Sequence, residues 1–215
     1  MVSEQITSPV YQGQFGPFSI TAADRQEVVI YRGALGLAAL CFAAGSALFW
    51  LQGAQPWVLQ VLTLLYGGFW LALGVSLTKI HIYLKPLHQT LKLFWLIGGV
   101  ASLGLAIAYP SPLLLTLYQQ PLTLLGVGFT FAALTGIFFK EAFCFGRPET
   151  LLLTLIVPGL LLGHMLGWLP LLWERWLLAA WVVLFLVFAV RKAVQPIPPD
   201  IGDKSVFEYL EQRAQ

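Results

Sequence analysis

Six apolar runs of about 17 to 20 residues divide this sequence, with nearly every charged side chain confined between them. No other feature restricts the fold so strongly. At 1.5 Å per residue, a helix of that length crosses a hydrocarbon core of about 30 Å. Hydrophobic residues make up 58% of the chain and charged residues 10%, at a mean hydropathy of +0.79, which is more apolar than the interior of a soluble domain of this size can absorb. The runs predict spans at Ala34 to Leu51, Trp57 to Leu77, Leu93 to Tyr109, Leu122 to Phe139, Leu151 to Leu169 and Trp176 to Val190. The expected fold is all-α: a polytopic membrane bundle of six transmembrane helices.

Charge sign sets the expected orientation. Of the twelve Lys and Arg residues, all but Arg175 fall on one side of this arrangement, the side that also holds both ends of the chain. Positively charged loops are retained in the cytoplasm, so both termini are expected there. Trp50, Trp57, Tyr109, Tyr118, Trp168, Trp173 and Trp176 gather at the opposite ends, where amphipathic rings suit the headgroup boundary. The chain then divides into a cytoplasmic arm and first-helix start over residues 1–32, the bundle over 33–194, and a Pro-rich linker with a short amphipathic helix over 195–215. The arm reads as extended until Thr21 and Asp24, which match a capping box and start a helix near Ala22. A second match, Ser205 with Glu208, opens the C-terminal helix. Its face of Val206, Phe207 and Leu210 requires a surface, on the protein's own loops, on a partner or on the membrane. The segment 110–118 is too short to cross and is expected as an interfacial or re-entrant piece.

Inside lipid, close helix packing relies on small residues. Gly128, Ala132 and Gly136 in span four, and Gly159, Gly163 and Gly167 in span five, predict either a tight hairpin or smooth faces turned to other proteins. None of the predicted spans contains Asp or Glu, which argues against coupled ion transport. The net charge of +2 and the lack of a basic aromatic stripe argue against nucleic acid.

The densest reactive stretch joins spans four and five. Lys140, Glu141, Cys144 and Arg147 form the candidate functional cluster, read either as a structural ion-pair clamp or as a catalytic group. Glu141 requires a cation, with Arg147, Lys79, Lys85 and Arg32 as the partners considered. Cys144 is a nucleophile only if neighbouring cations stabilise its thiolate, and is otherwise an inert thiol. His81 and His88 are weak metal candidates because Pro86 lies between them. His164 is the one ionisable side chain well inside a span. It is read as an interhelical hydrogen-bonding residue or as an axial ligand to chlorophyll or haem, and it lies about 20 Å from the cluster, too far to join it. No metal-ligand spacing, phosphate loop or Ser-His-Asp arrangement is present.

The stretch Phe131-Ala-Ala-Leu-Thr-Gly-Ile-Phe-Phe-Lys-Glu-Ala-Phe-Cys-Phe145, with Arg147-Pro148-Glu149 and Leu161-Leu162-Gly163-His164, resembles the signature of a cyanobacterial integral membrane family, domain-of-unknown-function family 2301. The resemblance supplies no activity. It implies a photosynthetic prokaryote with thylakoid and plasma membranes. The expected function is a non-enzymatic accessory or assembly protein, associated with photosynthetic membrane complexes and partnered by lipid and other membrane proteins. The alternative is a membrane enzyme or a lipid-, quinone-, pigment- or cofactor-binding protein with a site at the cytoplasmic ends of spans four and five.

Overall fold

The computed structural model describes residues 10–212, apart from the side chains of Glu208 and Glu211. A hairpin of β1 (Val10–Gly13) and β2 (Gly16–Ser19) leads into α1 (Ala22–Gln52), α2 (Pro56–Lys79) and α3 (Lys85–Ala108). The short α4 (Leu113–Gln119) and a 3-10 turn over Pro121–Thr123 precede α5 (Leu124–Phe145), α6 (Pro148–Met165) and α7 (Leu171–Val194). Two small helices follow, α8 (Pro198–Ile201) and α9 (Lys204–Gln212). Six helices are long and apolar enough to cross a membrane, and each carries one predicted span. All six run further than predicted at the end rich in Lys and Arg, called here the basic end; the other is the aromatic end.

Local chemistry sets the boundaries. Thr21 Oγ1 accepts from the Asp24 N–H while Asp24 accepts from the Thr21 N–H, a complete capping box on α1. Proline opens α2 and α6 at positions whose N–H would be unpaired anyway. Gly146, at φ 59° and ψ 34°, ends α5 in the left-handed conformation. The stretch 140–145 is therefore helical, and the turn between α5 and α6 is only Gly146 and Arg147. A carboxylate does lie within a membrane helix: Glu141 sits in the last turns of α5.

Consecutive long helices touch, and α7 returns to α1, closing a ring. Rings fill its centre, with Trp181 against Phe42 at 4.4 Å and Phe131 at 5.5 Å, and Phe138 against Phe185 at 5.2 Å. The tightest backbone approaches do not follow the expected stripes. Gly128 and Gly159 face open space, with a cavity of about 360 Å³ between α5 and α6. Gly136 instead admits Leu91 of α3, and Gly98 of α3 lies against the Thr130 backbone of α5. Trp70 and Trp95 stack at 4.3 Å across α2 and α3, each indole N–H donating to the other's carbonyl at 3.0 and 2.8 Å.

The segment 10–19, expected as an extended arm, is a hairpin paired from Val10 with Ser19 to Gly13 with Gly16; residues 1–9 lie outside the described residues. Its turn docks on the start of α9. Gln14 N–H donates to Asp203 at 2.7 Å and Phe15 N–H to Ser205 Oγ at 3.0 Å, while Phe15 stacks on Tyr209 at 3.9 Å. Gly13 approaches Asp203 so closely that a Cβ would overlap the carboxylate. Asp203, rather than Ser205, caps α9 by accepting the Ser205 N–H at 2.9 Å. The Ser205 hydroxyl, followed by the Gln14 N–H, holds the Asp203 carboxyl below its ordinary range. The Glu208 side chain proposed to complete a box is outside the described residues. Phe207 packs on Tyr83 at 4.5 Å, so part of the apolar face of α9 is used within the chain.

Candidate functional site

Four segments converge at the basic end. α1 brings Tyr31 and Arg32, α5 brings Lys140, Glu141 and Phe145, the end of α7 brings Lys192, and the following linker and α8 bring Gln195 and Asp200. Lys192 reaches this point because it continues a buried stripe through Trp181, Phe185 and Phe188, at steps of four, three and four residues. Its ammonium is fully buried and pairs with Glu141 at 2.6 Å and with Asp200.

Both oxygens of Glu141 are taken. Oε2 receives Lys192, and Oε1 receives Lys140 at 2.9 Å and the Tyr31 hydroxyl at 3.2 Å. None of the cations anticipated from sequence is the partner. Lys140 does pair with its immediate neighbour, because a four-carbon stem can fold back across the end of a helix where a short side chain cannot. Arg32 clasps the linker after α7 with all three nitrogens: Nε donates to Asp200 at 2.8 Å, Nη1 to the Gln195 carbonyl at 2.5 Å, and Nη2 to the Pro196 carbonyl at 2.9 Å. Phe145 lies beneath three cations, with Lys192, Lys140 and Arg147 at 4.4, 5.3 and 5.6 Å from the ring centre.

Arg147 donates to the Gln195 side chain and leaves Nη1 buried without a partner among the described residues. Glu149 pairs with Arg191 at 2.7 Å. Of the four candidates read from sequence, Lys140 and Glu141 share the network, Arg147 borders it through Phe145, and Cys144 is exposed and outside it. Arg32, considered as a partner of Glu141, joins the network through Asp200 instead, while Lys192, Asp200 and Tyr31 are members that sequence reasoning missed. The stripe ending at Lys192 was the available signal; nothing local marks Asp200.

His164 lies at the aromatic end of α6, remote from this network. Its Nδ1 meets Glu174 at 2.6 Å, and its ring stacks on Tyr118 of α4 at 5.0 Å. Nε2 is buried without a partner among the described residues. A chlorophyll or haem metal approaches along the Nε2 lone pair, in the plane of the ring, and with that atom buried under the protein's own atoms the residues as arranged leave no room for an axially ligated macrocycle. The pairing is the interhelical contact considered as the alternative. His88 is taken up by the Leu77 carbonyl at 2.6 Å, and no group of three metal-ligating side chains occurs among the described residues.

A ring of six apolar helices with an ionic seal at one end defines the class: an α-helical polytopic membrane protein. Within that class, the chain belongs to the uncharacterised integral membrane protein family DUF2301, whose family model matches residues 75–209. The match takes in α3 to α8 whole and most of α9, including Glu141, Lys192 and Asp200. No curated protein and no solved structure matches the chain.

Proposed function

We propose that this protein is a non-enzymatic accessory or assembly factor of membrane complexes, with its basic end in the cytoplasm. The observation that carries the reading is the mutual saturation of four buried charges at the basic end. Glu141, Lys192, Asp200 and Arg32 take one another as partners. A catalytic acid or base needs a face open to substrate, and here Glu141 and Lys192 have none. The network ties α1, α5, α7 and α8 into a stiff cap, as suits a protein that holds its neighbours in place. The family resemblance points to photosynthetic complexes as those neighbours.

Gentle solubilisation of photosynthetic membranes, followed by native electrophoresis and mass spectrometry, tests the reading. Comigration with a larger complex is expected, and migration only as a free monomer would sink it. Alanine at Glu141 adds a second readout: reduced abundance is expected, whereas normal abundance with a lost activity would speak for an enzyme.

A further inference from the structure

A cavity of about 470 Å³ occupies the half of the bundle nearer the aromatic end, walled by α1, α2, α4, α5 and α7. On α1 it runs from Phe49 to Cys41, about 12 Å at 1.5 Å per residue, close to the depth of one leaflet. The wall is almost wholly apolar, and no charged side chain contributes to it. Water has little reason to fill such a space, because a buried water needs several polar partners and apolar cavities stay dry. Left empty, the wall forfeits its dispersion contacts. Hydrocarbon is the filling that satisfies both conditions.

The polar groups at the wall are few and uncharged. Ser46 is 8% exposed, and none of the hydrogen bonds among the described residues involves its hydroxyl. Gln119 marks the end of the cavity nearest the interface. At the inner end, Trp181 touches the wall residues Phe42 and Phe131 and carries a buried indole N–H without an acceptor among the described residues.

α4 has no span to complete, yet it is held against the aromatic end of the bundle. Leu113 and Leu117 pack on Val127, and Tyr118 stacks on His164, which Glu174 fixes. Its other face, through Leu114, Leu115 and Tyr118, closes the cavity. From this geometry we infer that the protein binds a membrane amphiphile with one apolar chain inserted in this cavity and an uncharged, hydrogen-bonding head toward Gln119 and Ser46. Prenylated quinones or prenols and neutral glycolipids share that chemistry.

Full-length protein is purified from its native membranes, and its lipid extract is compared by mass spectrometry with the bulk membrane and with Ser46→Phe, which fills the cavity. In parallel, the unaltered protein is placed in phosphatidylglycerol nanodiscs containing a prenylquinone or a neutral glycolipid with a diazirine in its apolar chain, or a diazirine-bearing phosphatidylglycerol as the control. The residues crosslinked on illumination are mapped by mass spectrometry, since carbene insertion needs no ionised group and works against a dry apolar wall. One neutral amphiphile enriched to near-stoichiometric amounts in wild type alone, and crosslinked to the cavity wall on α1 and α4 several-fold more than the phosphatidylglycerol control, is expected. Extracts that mirror the bulk membrane, or wall crosslinks no stronger than the control in every arm, would overturn the site. The crosslinking arm uses the unaltered cavity, so it decides the matter even if Ser46→Phe fails to fold.

Discussion

Lys192 meets Glu141 at 2.6 Å across 51 residues of sequence, and neither side chain has any accessible surface. Removing one member breaks a fully buried pair, at a cost of up to about 3–5 kcal/mol, eased by the partners that remain: Lys140 and Tyr31 for Glu141, and Asp200 for Lys192. Lys192→Met and Glu141→Gln should each lower thermal stability in detergent by that order. The double variant should cost less than their sum, with a coupling of about 1–3 kcal/mol. Additive losses would show that the two act separately.

Glycines that look alike in sequence should respond in opposite ways. Gly98→Ala drives a methyl into the Thr130 backbone, which has nowhere to move, and should cost about 1–3 kcal/mol or more. Gly159 faces open space within α6, so Gly159→Ala should be neutral or stabilise by up to about 1 kcal/mol. Melting temperatures of the two variants check this directly.

Burial pushes the His81 imidazole below its ordinary value; Glu27, 3.7 Å away, and Asp24 oppose the shift, Lys140 adds to it and Asp200 opposes it. The sign follows from linkage. Well above pH of about 6.5 the ring is neutral folded or unfolded and contributes nothing. As pH falls below that value, the unfolded chain takes up a proton that the folded protein resists. Stability should therefore decline between about pH 7.5 and 5.5, and His81→Gln should flatten that part of the profile. An unchanged slope in the variant would assign the decline elsewhere.

Cys144 is exposed at the basic end, which the positive-inside argument assigns to the cytoplasm. In a Cys41→Ala background, an impermeant maleimide should label inverted vesicles and leave sealed, right-side-out cells unlabelled. The reverse pattern would invert the bundle.

The six spans were legible because each is a local property of about twenty residues, and the capping box at Thr21 is legible for the same reason. The charge network was legible only in part. Glu141 stood out as a carboxylate near a helix C-terminus, but Lys192 was counted as a loop charge, since hydropathy places a lysine outside the membrane regardless of the stripe it extends. Glycine spacing failed as a packing signal because it says which face is smooth, not which helix comes to it: Gly136 received Leu91 of α3 rather than α6. The cavity at the aromatic end is a product of five helix positions and has no local trace at all.

The grip of Arg32 on Asp200 also fixes an order of events in synthesis. Arg32 is translated 168 residues before the carboxylate that neutralises it, and Asp200 lies beyond the last membrane helix. An inserting chain therefore carries an uncompensated guanidinium until all six helices have left the ribosome, and closure of this pair reports that the whole bundle has arrived. A chain stopped after Gln195 should enter the membrane normally yet be degraded far faster in a pulse-chase experiment. Equal lifetimes would mean that the cell reads completion from some other contact.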